Sequence, residues 1–268
     1  MTLLTPDEQE RFRDATRCRV CERPFESEYV RDTYIIPILF HNLSGYDAHF
    51  IIKDVANAFS SSVELLPLTK ETYISFSKSV DEASSQERRF GRRVKLRFVD
   101  FFKFLRASLE KLMSYLDKNE LKIARSEFPD LNDDDFEFFT RKDVFPYEYV
   151  DDINKLREIR LPSREAFYSS LSGDIVSDSN YVHAIKVWER FRVETLGNYS
   201  DLYLKTDVLL FADVFENFRA TCMRSYGLDP AHYYTLPEYT WDAMLKYTGV
   251  QLELLTDIDM MNGEYAAA

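Results

Sequence analysis

Glycine is scarce in this chain, 7 in 268 residues, while 45% of the residues are hydrophobic. That balance excludes a largely disordered or linker-like polypeptide. The length suits one large domain or two modest ones. Long apolar runs are missing too. No stretch reaches the ~18 uninterrupted apolar residues of a membrane span, and Met1–Glu8 has neither the basic nor the apolar part of a secretory signal. Cysteine is limited to three residues without framework spacing, which fits a reducing compartment. The expectation is an intracellular protein, of nucleus or cytoplasm, with no membrane partner. Positive charge is also short, with 34 Lys and Arg against 46 Asp and Glu and a formal net charge of −12. This argues against a protein held on DNA by bulk electrostatics. It leaves open a catalytic module that needs acidic metal ligands. Aromatics, by contrast, are plentiful: 21 Phe and 17 Tyr imply an aromatic-rich core or binding surface.

Along the chain, residues 5–17 read as a short polar helix, with Pro6, Asp7 and Glu8 suited to its first turn. Cys18-Arg19-Val20-Cys21 follows. Residues 34–40 form an apolar run of strand length, and its continuity suggests burial on both faces, as in a parallel sheet. Pro37 is expected among the strand's first residues. Ala48–Phe59 reads as a helix. Residues 73–78 and 94–99 alternate, as an antiparallel hairpin with a long polar loop would. Within and after that loop, Arg88, Arg89, Arg92, Arg93, Lys95 and Arg97 form a basic cluster, either a solvated edge or a phosphate contact. Helical spacing covers Ser108–Leu116. The acidic 128–143 region reads as loop with a helical turn. Ser163 is a candidate cap for a helix over 164–171, and Ser177 or Asp178 for one running to Phe191. The longest helical pattern spans 199–225, stopped by Gly227, and Pro237 opens a last helix to about Tyr247. Strand, helix, hairpin and helices in that order give an α/β fold with a small mixed sheet flanked by helices.

Two stretches carry chemistry. Phe40-His41-Asn42-Leu43-Ser44-Gly45-Tyr46-Asp47 sets Asn42 and Asp47 five apart just past a strand. Tyr203-Leu204-Lys205-Thr206-Asp207 sets Tyr203 one helical turn before Asp207. Hydrolysis of a phosphodiester needs an activated water and a stabilised leaving oxygen, which two divalent ions held by carboxylates supply. Asp47 and Asp207 are candidate Mg²⁺ or Mn²⁺ ligands, Tyr203 a candidate to orient the water, and Asn42 a candidate contact to a nucleic acid strand. A plainer reading stands beside each. Asn42 and Asp47 can shape a turn around Ser44-Gly45, Tyr203 can be a core residue, Asp207 a surface charge, and Asp100 a cap or turn residue.

The order of these segments resembles the 3′–5′ exonuclease region of family B DNA polymerases, in the protein-primed branch that includes bacteriophage and Polinton/Maverick-type transposon enzymes. Ile36–Asp47 resembles its second exonuclease motif and Asp201–Leu210, with Tyr-x-x-x-Asp, its third. Tyr73–Lys78, Leu96–Asp100, Pro146–Tyr149, Glu165–Leu171 and Gly227–Tyr234 continue the likeness. The resemblance implies a ribonuclease H-like domain over 34–225, preceded by 1–33 with the remnant of a zinc knuckle and followed by a helical connector over 226–268. It implies Asp47, Tyr203 and Asp207 as catalytic residues, Asp47 and Asp207 as metal ligands, and Asn42, Tyr46 and Asp100 as contacts to single-stranded DNA or a DNA 3′ end.

The departures from the family pattern set the functional expectation. The first motif, Asp-x-Glu, has no counterpart, so the sheet is expected to lack its first strands and residues 35–40 to keep an unpaired apolar edge. Cys18 and Cys21 lack the second half of a zinc site, so zinc is not expected. Phe101 stands where the family has Ser. No palm segment is present. The chain therefore reads as a truncated or degenerate polymerase limited to its exonuclease part, weak or inactive alone. The alternatives are a domesticated nucleic-acid-binding module without catalysis, or a relic with no selected function.

Overall fold

The computed structural model describes residues 33–45, 48–58, 61–69, 72–80 and 93–252. The helix expected over 5–17, Cys18, Cys21, Tyr46, Asp47, Arg88, Arg89 and Arg92 lie outside these residues. The elements in chain order are β1 (Thr33–Phe40), α1 (Ala48–Ala58), β2 (Val63–Pro67), β3 (Tyr73–Val80) and β4 (Arg93–Asp100). They continue with α2 (Leu109–Met113), α3 (Lys122–Glu127), α4 (Asp133–Thr140), β5 (Tyr168–Ser169), β6 (Asp174–Ile175), α5 (Asp178–Arg190), α6 (Leu196–Tyr226) and α7 (Leu236–Thr248). The chain divides into two compact units, one formed by residues 1–106 and 228–268, the other by 107–227.

In the first unit the strand order is β1-β4-β3-β2, with β1 parallel to β4 and the other pairs antiparallel. The hairpin read from the alternation of 73–78 and 94–99 is the β3–β4 pair. Phe76 and Phe98 are cross-strand partners with rings stacked 4.4 Å apart, and Phe40 stacks on Phe98 at 6.1 Å. Ile51, Ile52 and Val55 of α1 cover this cluster with Leu43 and Ala48. Strand β1 is less buried than its continuous apolarity suggests: Tyr34 is 52% and Ile36 38% exposed. Among the described residues it is an edge strand. Its edge position also explains Pro37, which sits in mid-strand opposite Arg97 and not at the start, since only on an edge is a missing amide tolerated.

Lys78 follows Phe76 on the buried side of β3 and is 1% exposed. Its ammonium donates to the carbonyl of Ala56 at 3.1 Å and to that of Ser61. The cation thus closes the C-terminal end of α1, where free carbonyls favour positive charge. Lys95 and Arg97 of the basic cluster are engaged within the protein. Lys95 pairs with Glu64. Arg97 donates to the His232 carbonyl at 3.2 Å and lies 5.0 Å over the Tyr234 ring. That contact fastens the segment before α7 to β4.

The second unit is built on α6, 31 residues long. A Thr195–Asn198 capping box starts it and Gly227, at φ 61°, ends it, close to the 199–225 pattern. Asp213, 1% exposed, accepts from the amides of Ile123 at 2.8 Å and Ala124 at 2.9 Å. A buried carboxylate of one helix therefore caps the N-terminus of another, α3. Two expectations change here. The acidic region contains a full helix, α4, capped by Asn132, with Asp133, Asp134 and Asp135 at its positive end. The helix expected over 164–171 is a single 3-10 turn, Arg164–Phe167, followed by the β5–β6 hairpin. Ser163 holds the cap position without capping by its side chain, and Gly173, at φ 75°, makes the reversal that a helix would forbid. Ser177 caps α5 as read.

Candidate functional site

In the second unit Tyr199, Tyr203 and Asp207 fall at successive turns of one face of α6. The Tyr147 hydroxyl donates to that of Tyr203 at 2.9 Å, and Tyr203 in turn donates to Asp207. Burial, first of all, raises the Tyr203 phenol well above its ordinary value, with the Tyr147 bond and the Asp207 charge adding to it. Tyr203 is therefore a permanent donor at neutral pH. Tyr147 stays 66% exposed, so its ring is a surface beside that hydroxyl.

The segment carrying Tyr147 comes off the end of α4. Asp143 accepts from the Val144 amide at 2.9 Å, and the Tyr199 hydroxyl, beside that carboxyl, donates its one hydrogen to the Val144 carbonyl at 2.8 Å. Phe145 stacks on Tyr199 at 6.2 Å and tilts against Tyr203 at 5.6 Å. Burial outweighs these bonds and pushes the Asp143 carboxyl up to about 6, with the Asp207 charge acting in the same direction. A small cavity lined by Phe139, Asp143, Val187, Leu202, Tyr203 and Thr206 has room for about one water molecule.

The first unit holds the other described candidates. Asn42 adopts a left-handed φ of 68°, a conformation that Asn tolerates better than most residues. Its carbonyl accepts from the Gly45 amide at 3.1 Å, and its side chain packs where a Cβ on residue 45 would stand, 2.6 Å from Oδ1. The turn reading thus holds for Asn42, whose side chain is nonetheless exposed. Asp100 is fully buried. It accepts from the amides of Asn42 at 2.9 Å, Ser44 at 3.0 Å and Phe102 at 3.0 Å, and from the Ser44 hydroxyl. The resemblance expects Asp100 as a DNA contact; its carboxylate, with no exposed surface, forms the cap that ties the exit of β1 to the exit of β4.

Tyr203 and Asp207 are thus brought together in one unit, and Asn42 and Asp100 in the other. Asp143, Tyr147 and Tyr199 had no role in the sequence reading. Tyr199 was within reach of it, being one turn before Tyr203, whereas Asp143 depends on tertiary folding. Among the described residues no group of three or more His, Cys, Asp or Glu could hold a metal ion. Asp143 and Asp207 fall short of the donor set a two-ion centre needs.

Residues 30–250 match the family described as DNA polymerase type B, organellar and viral. The chain belongs to that family. No curated protein and no solved structure matches it. The family region takes in both units' described elements, so the β1–β4 turn and the Tyr203–Asp207 face are parts of one type B polymerase sequence. Among the described residues no helix of this polymerase-family chain is long and apolar enough to cross a membrane.

Proposed function

We propose that the chain is the exonuclease-type part of a protein-primed, transposon-type polymerase of this family, with a ribonuclease H-like domain that takes a single-stranded DNA 3′ end. The carrying observation is the hydroxyl chain from exposed Tyr147 through Tyr203 to Asp207, inside a sequence that belongs to the family. A phenol held protonated does not remove a proton; it would orient a water or a phosphate oxygen by turning its one O–H to it from Asp207 once a cation held that carboxylate. Asp207 is the carboxylate of the second unit that would hold Mg²⁺ or Mn²⁺. On this reading the Asp-x-Glu of the family's first motif has no counterpart, and a site without that pair would lose preorganised stabilisation of the transition state, at a cost of orders of magnitude in rate. The chain alone is accordingly a weak or inactive nuclease. The test is Mn²⁺-dependent trimming of a 3′-labelled single strand. Robust trimming that Asp207→Ala abolishes would overturn the inactive reading.

The exposed Tyr147 ring favours a second outcome for the same surface, binding of single-stranded DNA without cleavage. Stacking on aromatic rings is how such strands are held without sequence preference. Anisotropy titrations at rising salt measure it, and absence of binding even at low ionic strength would remove it.

A further inference from the structure

The Arg141–Tyr147 segment is fastened at both ends. At its start His183, 97% buried, donates from Nδ1 to the Arg141 carbonyl, since Nε2 has no hydrogen bond. The imidazole also lies 4.4 Å from the Phe138 ring. Further on, the segment meets α6 at turn-spaced residues: Val144 and Asp143 at Tyr199, then Tyr147 at Tyr203. Between them Phe145 touches both rings, and Pro146 is fully buried.

We propose that Asp143 is a positioning residue of the Tyr203–Asp207 site, which locks this segment onto α6 through Val144 and Tyr199 and so fixes where Tyr147 meets Tyr203. The proposal rests on reading that site as a contact for single-stranded DNA. Asp143 acts through Val144: its Oδ1 takes the Val144 amide, and the Val144 carbonyl takes the Tyr199 hydroxyl, so the carboxylate fixes the residue that is tied to α6. A residue serving stability alone would be neutral here. The carboxylate is half-buried, faces the charge of Asp207, and is disfavoured in its ionised form. Neutralising it should relieve that penalty while loosening the hold on Val144, so stability and binding move in opposite directions.

The experiment compares the full chain with Asp143→Asn and Tyr199→Phe in three measurements: melting temperature at pH 7.5, hydrogen exchange of the 143–147 amides, and anisotropy with a fluorescent oligodeoxythymidylate of about 12 nucleotides. The Tyr147 amide, which donates to the Phe145 carbonyl at 3.0 Å, is the reporter of the segment. Asp143→Asn is expected to melt at or above the parent temperature, to exchange about tenfold faster at Tyr147, and to bind about tenfold more weakly. Tyr199→Phe should repeat the exchange and binding changes, and carries the test if Asp143→Asn does not fold. Parent-like binding and exchange in both variants, with binding lost in Asp207→Asn, would overturn the proposal and leave the DNA reading standing. Weaker binding with a lowered melting temperature in Asp143→Asn would also overturn it, by making Asp143 merely structural. If the parent binds no DNA the functional reading fails, and the exchange arm decides alone: faster exchange in both variants supports the lock, unchanged exchange refutes it.

Discussion

Asp100 and Asp143 are both withdrawn carboxylates at the end of a regular element, yet their surroundings differ in kind. Asp100 receives three backbone amides and a hydroxyl, all from the turns it joins. Asp143 receives one amide, from its own neighbour, lies beside a phenol of α6 that donates to the Val144 carbonyl, and feels the charge of another carboxylate. Backbone amides are fixed donors that cost nothing extra to orient, so Asp100 works as a structural joint. Phenols on a helix face are adjustable and border a surface, so Asp143 is tuned by whatever changes that surface. Burial alone therefore does not separate joint from site. The identity of the donors does.

The sharpest way to break the comparison is to remove the joint. Asp100→Ala leaves the amides of Asn42, Ser44 and Phe102 without their acceptor inside the fold. Part-buried donors stranded in this way should cost roughly 3 kcal/mol together. Urea unfolding followed by circular dichroism measures the loss, and a cost below about 1 kcal/mol would deny Asp100 its role as joint.

The next effect is in pH, and it involves Asp143 and His183 with opposite signs. The carboxyl of Asp143 sits at about 6, raised above its unfolded value of 3.8 chiefly by burial. Its folded form prefers the proton, so its contribution is present below pH 3.8 and is lost as pH rises through 6. His183 is lowered to about 4 from 6.5, by burial first and then by Arg141 and Lys186. Its contribution is present above pH 6.5 and is lost as pH falls through 4. Each term is worth about 3 kcal/mol at most, so in the parent chain they largely offset one another between pH 4 and 6.5. Asp143→Asn removes one side of the balance. Its stability should fall on acidification through that window more steeply than the parent's, and parallel curves would refute the pairing.

A third variant asks whether the second unit has joints of its own. Asp213 accepts only backbone amides, those of Ile123 and Ala124, and so belongs with Asp100 despite lying on the helix of the site. Asp213→Ala uncaps α3 and strands two amides, that of Ala124 buried and that of Ile123 partly so, at a cost of about 2 kcal/mol. DNA binding, measured below the melting transition, should be unchanged.

What the sequence disclosed follows the same division. Periodic patterns gave α6, because Leu202, Leu209, Leu210 and Val214 repeat with the helix and Gly227 ends it. They gave β3 and β4 through alternation. Strand β2 was not read, since four of its five residues are exposed and no inward face marks it. The β5–β6 pair is two residues long on each side, below what a pattern can signal. Helix α4 was hidden because Asp133–Asp135 look like loop composition, while at a helix N-terminus the same charges are favourable. Of the candidate site, the Tyr203–Asp207 pair was legible from a spacing of four. The lock by Asp143 was not, because it depends on a segment returning to α6 from 55 residues away in sequence.

The smallest expected effect tests the site half of the comparison directly. Tyr203→Phe keeps the ring against Phe145 and removes only the hydroxyl between Tyr147 and Asp207. Tyr147 is largely exposed, so water can replace its lost partner. The cost in stability should be about 0.5–1 kcal/mol, the net worth of an ordinary hydrogen bond and well below that of Asp100→Ala. Affinity for a single strand should nevertheless fall, because the hydroxyl that ties exposed Tyr147 to Asp207 has gone. A change that is small in urea unfolding and clear in anisotropy marks the hydroxyl as part of a contact. A large loss of stability with parent-like binding would instead class Tyr203 with Asp100, as a joint.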